Sequence, residues 1–236
     1  QVPSDERFRR LFIPSPGLRM VGADLSGIEL RMLAHYLARY DGGRYAKLLL
    51  EDDIHQINAD KIGISRRQVK TVTYAFLYGA GDEKIGHSYD PQLSTAQAKK
   101  KGKEIRAAYV DAVDGLDNLL KAIKQAAERG FIKSIDGRKV NVDSPHKALN
   151  YCLQSGAGVI AKRWMVINQE TMREAQICAS QLGFIHDELQ FECAPEHVGD
   201  LSTSLVYSAT AAGEYYNMRI RIDAEATHGN NWSETH

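Results

Sequence analysis

Cysteine is scarce in this chain and poorly placed for cross-linking. Cys152, Cys178 and Cys193 are odd in number and show no zinc-type pairing, which excludes a disulfide-built scaffold and fits reduced thiols in a cytoplasmic protein. Charge of one sign is also missing. Thirty Lys and Arg cancel thirty Asp and Glu, so no overall basic field points to nucleic acid and any such surface must come from local clustering. There is no signal peptide, twenty-residue apolar run, repeat or low-complexity tract, which leaves no membrane span to argue for. The first residue is Gln1 rather than Met, so the chain is expected to be cut, processed or part of something larger. What is present is 236 residues, 43% hydrophobic, enough for a packed core in a soluble α/β or α+β body.

Strand and helix signals alternate along the chain. Residues 19–25 read as a strand ending at Ser26-Gly27, a turn and helix-start signal, and a helix follows over 28–40 until Asp41-Gly42-Gly43 breaks it. Short helices are expected at 45–51 and 54–61. Ser65 suits the N-cap of the next helix, on which Val69, Val72, Phe76 and Leu77 make the apolar side. Ser94 or Thr95 caps a long polar helix expected to reach about Arg129, and its run Lys99-Lys100-Lys101 with Lys103 reads as a solvated face. A hairpin over 131–142 turns at Asp136-Gly137, and a long helix covers 146–177 with Trp164 and Met165 in the core. A second hairpin is expected from strands 182–186 and 189–193 around Asp187-Glu188, then a helix over 196–215 and a strand at 219–223.

Two patterns carry chemistry. Arg66, Lys70, Tyr74 and Tyr78 recur every four residues and are followed by Gly79; on a helix they fan over about 120° of one face. Two cations and then two rings suit a polyphosphate at one end and a stacked base at the other. Asp24 closes an apolar strand and Asp187 sits in the tip of an apolar hairpin, with Glu29 and Glu188 nearby. Brought together, two such carboxylates would bind Mg²⁺, which prefers oxygen ligands and keeps positions open for substrate phosphates.

Together these stretches resemble family A DNA polymerases. Asp24-Leu25-Ser26-Gly27-Ile28-Glu29-Leu30-Arg31 is similar to the first palm motif, Arg66 to Gly79 to the fingers helix, and Ile185-His186-Asp187-Glu188 to the second catalytic palm motif. Asp53-Ile54-His55, Leu77 to Gly86, Asp136-Gly137-Arg138-Lys139, Leu149-Asn150 to Gln154-Ser155, and the ending in Asn231-Trp232 and His236 resemble the replicative enzymes of podoviruses. The likeness runs from Gln1-Val2-Pro3-Ser4 onward. It implies an antiparallel palm sheet with helical fingers: palm over 1–40, fingers over 41–145 and palm again over 146–236, without thumb or exonuclease domains.

The resemblance also implies roles. Asp24 and Asp187, with the Leu25 carbonyl, would hold two Mg²⁺ ions, supported by Glu188. Arg66, Lys70 and His55 would contact the triphosphate, Tyr74 the incoming sugar and Glu29 the sugar gate. Tyr78 and Gly79 would lie near the templating base, Arg31, Asn150 and Gln154 on the primer-template minor groove, and His186 at the primer terminus. The implied partners are primer-template DNA, deoxynucleoside triphosphates and an upstream polymerase segment supplying thumb and exonuclease. The implied reaction is template-directed DNA synthesis. Two other classes fit the same residues: a nucleotide- or DNA-binding subunit that depends on an upstream chain, and a two-metal phosphodiester hydrolase.

Overall fold

The computed structural model describes Val2 and residues 5–236; Gln1, Pro3 and Ser4, where the family likeness begins, lie outside the described residues. The chain forms two compact units, one from residues 1–28 and 157–236 and the other from residues 29–156.

The first unit is built on an antiparallel sheet of β1 (Arg19–Leu25), β4 (Ala179–Ile185), β5 (Glu188–Cys193) and β6 (Ala224–Gly229), in the order β4-β5-β1-β6. Strand β1 is central and nearly continuously buried, from Met20 to Ala23 and again at Leu25. That explains an apolar run where one-faced sheets alternate apolar with polar. One row, Met20 and Gly22 opposite Gln190, lies under the C-terminal segment, and the other pairs Val21 with Phe191 and Ala23 with Leu189. Gly22 has no substitute, because a Cβ there would collide with the Thr235 carbonyl and the Gln190 side chain. Helix α10 (Val198–Tyr215) packs on β1 and β6. Trp164, wholly buried on α9 (Ala148–Glu174), donates its indole N–H to the Leu205 carbonyl at 2.8 Å. The short helix α1 (Glu6–Arg9) packs beside the 3-10 turn Trp232–Glu234.

Two expectations for this unit change. The β4–β5 hairpin begins at Ala179 rather than 182, and Ile185 pairs with Glu188, so the two-residue turn is His186-Asp187 and Glu188 already belongs to the strand. The last strand lies at 224–229, not 219–223. Ile220 and Ile222 alternate as a strand would, but Thr210 Oγ1 donates to the Ile222 carbonyl at 3.1 Å and Ser26 N–H to the Asp223 carbonyl at 3.0 Å. Those carbonyls are satisfied without a neighbouring strand, so the segment stays an extended connection.

The second unit is helical. It holds α2 (Ile28–Asp41) from Glu29 on, α3 (Arg44–Glu51), α4 (Ile54–Ile62), α5 (Arg66–Leu77), α6 (Asp82–Tyr89), α7 (Thr95–Ala112), α8 (Leu116–Ala127), the hairpin β2 (Phe131–Lys133) with β3 (Lys139–Asn141), and the start of α9. Ser65 and Gln68 form a reciprocal capping box on α5, and Ser94 and Gln97 form another on α7. Each such cap is worth about 1 kcal/mol and fixes where its helix starts. Val69, Val72, Phe76 and Leu77 are buried as their spacing predicts. Phe76 lies 5.1 Å from the Tyr109 ring of α7. Helices α6 and α7 touch backbone to backbone, since a Cβ on Gly86 or Gly102 would strike the Ala98 or Asp82 carbonyl.

The single helix expected to reach Arg129 is instead α7 and α8, broken at Val113-Asp114-Gly115. Gly115 has φ 79°, a left-handed geometry that costs an L-residue, and a Cβ there would press on the Tyr40 side chain. The lysine run is an exposed face as expected: Lys99 approaches Glu83 and Lys101 approaches Glu104.

Candidate active site

Strand pairing assembles the carboxylates of the first unit. Asp24 and Glu188 are direct partners across β1 and β5, and the Leu25 N–H donates to the Asp187 carbonyl at 3.1 Å. Asp24 is exposed and Asp187 half-buried, both at one end of the sheet. His186, exposed beside Asp187, has φ 58°. As the first residue of a two-residue hairpin turn it occupies the position that type II′ turns usually give to glycine, and a left-handed conformation costs an L-residue on the order of 1 kcal/mol.

Glu188 is already committed elsewhere. Its side chain is 4% exposed. Oε1 accepts from Trp232 Nε1 and Gln190 Nε2, each at 2.6 Å, and Oε2 lies 2.7 Å from His236 Nδ1. Thr235 Oγ1 donates to Gln190 Oε1 at 2.8 Å, closing the network. A buried carboxylate needs such partners, and here they engage both of its oxygens. Among the described residues no three His, Cys, Asp or Glu side chains gather as a metal cluster. Asp24 and Asp187 suit magnesium nevertheless, a hard cation that takes one or two carboxylates and completes its shell with water, backbone oxygen and phosphate oxygen.

The second unit holds a cation-rich face. Its cap places Arg66 in the first turn of α5, one helical turn before Lys70, and both are exposed. Arg66 Nε donates to Asp53 Oδ2 at 2.6 Å, and no hydrogen bond engages its two outer nitrogens among the described residues. Lys70 has no ion pair among the described residues. The Arg66 guanidinium holds the Asp53 carboxyl below the usual carboxylate range. His55, in the first turn of α4, lies 6.2 Å from the Tyr74 ring. Burial lowers its pKa, Asp53 opposes that shift, and Arg66 and Lys70 add to it, so the imidazole is neutral near pH 7. Its Nδ1 is buried without a hydrogen-bond partner among the described residues. Exposed Lys70, the outer edge of the Asp53-paired Arg66 and the neutral His55 ring are three groups that could contact an anion.

Farther along, Tyr78 caps α5, is 52% exposed, and donates its hydroxyl to Glu29 Oε1 at 2.6 Å. Gly79 has φ 73°, and a Cβ on it would lie in ordinary contact with Lys147 Cα and Asn150 Cβ. Gln154 is exposed, whereas Asn150 and Arg31 are half-buried. Four residues that hold these groups in place have no role assigned from sequence alone. Asp53 holds Arg66, and its signal was a carboxylate at a helix N-cap two residues before His55. Trp232, Thr235 and His236 hold Glu188 and Gln190, and no local pattern announces contacts more than forty residues away.

The chain belongs to DNA polymerase family A, whose model matches residues 1–234. It is 37% identical to a DNA-directed DNA polymerase of Enterobacteria phage T3 and 35% identical to one of Escherichia phage T7, in each case over 91% of this chain and 33% of the relative. It thus spans about a third of the length of those relatives. The fold matches the POL domain of Pol1 from M. smegmatis, determined in complex with DNA primer-template and dNTP. The TM-score is 0.82 at 23% identity, over 100% of this chain and 44% of that one. Across the described residues no helix is long and apolar enough to cross a membrane.

Proposed function

We propose that this chain is the palm-and-fingers part of a polymerase that extends a DNA primer on a template, with palm over 1–40 and 146–236 and fingers over 41–145. The observation that carries the reading is the pair Asp24 and Asp187, set at one sheet end by the β1–β5 register. These two, with the Leu25 carbonyl, would hold two Mg²⁺ ions. Such ions neutralise phosphate charge and favour ionisation of the attacking hydroxyl.

The protein's own residues do the rest. Arg66 grips the triphosphate through its two outer nitrogens, Lys70 places a point charge beside it, and neutral His55 donates a hydrogen bond. Tyr74 packs against the sugar, and Glu29, held by Tyr78, fills the space a ribose 2′-hydroxyl would need. Arg31, Asn150 and Gln154 touch minor-groove acceptors that every base pair presents alike. Tyr78 and Gly79 adjoin the templating base, and His186 places the primer end. The 3′-oxygen, losing its proton to solvent water, bonds to the α-phosphorus; the bond from that phosphorus to the bridging oxygen breaks, and pyrophosphate leaves with the electron pair. Positioning and charge neutralisation supply the acceleration.

The relatives' greater length supports dependence on an upstream segment carrying thumb and exonuclease. Supplied with that segment, the parent should extend a primer, while Asp24→Asn and Asp187→Asn should fold normally and lose extension. Extension by either variant within a few-fold of the parent refutes the metal assignment, and primer shortening in place of extension favours a hydrolase.

A further inference from the structure

Asp53 divides its carboxylate between two tasks. Oδ1 accepts the backbone N–H groups of His55 and Gln56, each at 3.1 Å, and so caps α4, while Oδ2 takes Arg66 Nε at 2.6 Å. Two backbone donors keep the carboxylate from swinging with its partner, which makes it a fixed peg joining the first turn of α4 to the first turn of α5. The contact through Nε is also selective. It leaves the two outer nitrogens, an edge that can take an anion as a two-toothed pair, with no hydrogen bond among the described residues.

We propose that Asp53 is a positioning residue for polyphosphate capture: it holds Arg66 by the inner nitrogen so that the outer edge of the guanidinium faces the anion, beside Lys70 and His55. This rests on the triphosphate role given to Arg66 above. A long exposed side chain otherwise samples many rotamers and must be ordered at the moment of binding. The sign of the effect separates positioning from simple charge. Asp53 is itself an anion, so if its field alone mattered, neutralising it would tighten binding of a polyphosphate; if it positions Arg66, neutralising it weakens binding.

The test is calorimetric titration of the protein with tripolyphosphate and with dATP, for the parent, Asp53→Asn, Arg66→Ala and the double variant. Asparagine keeps a capping oxygen, and matched thermal melts confirm the fold. Arg66→Ala should weaken both probes. Asp53→Asn should weaken them by about two- to fivefold, the scale of an exposed ion pair, and should add nothing once Arg66 is gone. Binding by Asp53→Asn that is unchanged or tighter overturns the proposal. So does an equal loss with and without Arg66, which would place the effect in the α4 cap. A parent that binds neither probe, or an Arg66→Ala variant that binds like the parent, removes the triphosphate role of Arg66 itself and Asp53's part with it.

Discussion

Replacing Trp232 with phenylalanine removes one hydrogen bond from the network that holds Glu188, together with part of a nearly buried indole. A six-membered ring still faces Phe12, whose centroid lies 5.3 Å from that of Trp232, and the lost ring volume adds a packing cost of the same sign. What disappears is the indole N–H that donates to Glu188 Oε1 at 2.6 Å. Gln190 still donates to that oxygen at 2.6 Å and His236 still lies 2.7 Å from the other, so the carboxylate is weakened rather than orphaned. Hydrogen bonds to charged groups are worth about 1.5–3 kcal/mol. In a protein of this size 1 kcal/mol moves Tm by roughly 2–4 °C, so Trp232→Phe should melt roughly 3–12 °C lower. Differential scanning calorimetry of parent and variant reads this directly. A melting temperature within about 1 °C of the parent, below the smallest shift that one charged hydrogen bond allows, would refute the reasoning.

The cysteines give a check independent of activity. Burial pushes the Cys152 thiol up to about 11 and raises Cys193, whereas Cys178 is exposed, so a thiol reagent at pH 8 should label Cys178 alone in the folded protein. Because the Cys152 value is raised above its ordinary 9.0, its contribution to stability is complete below pH 9 and is lost as pH rises toward 11, which alkaline melting curves should show. In the reconstituted polymerase, Glu29→Ala should lower the deoxy-over-ribo preference. Tyr78→Phe, which removes the 2.6 Å hydrogen bond holding Glu29, should shift it the same way by less; unchanged incorporation ratios would place the sugar gate elsewhere. Tyr74→Phe should increase rejection of dideoxynucleotides by roughly ten- to a hundredfold, the worth of one hydroxyl hydrogen bond to a charged group. An unchanged ratio in single-nucleotide incorporation would remove Tyr74 from the sugar.

By itself the sequence determined what lies within a few residues. The capping box at Ser65 and Gln68 sets the start of α5 and thereby puts Arg66 and Lys70 one turn apart; the apolar run of β1 and the turn at Asp136-Gly137 are local in the same sense. The tertiary structure decided whatever depends on partners far along the chain. Asp114-Gly115 broke a helix that composition would have continued, because Gly115 lies against Tyr40. The alternating Ile220 and Ile222 gave the strand up to residues 224–229, because Thr210 and Ser26 took their neighbourhood's carbonyls first. Glu188 and Asp187, adjacent in sequence, parted company in the same way. Glu188 pairs across from Asp24, but its carboxylate is drawn under the sheet by Trp232 and His236, while Asp24, Asp187 and Glu225, which faces Asp24 from β6, stay at that sheet end. A residue's type limits the chemistry it can do, and hydrogen-bond competition in the folded chain settles which of that chemistry remains available.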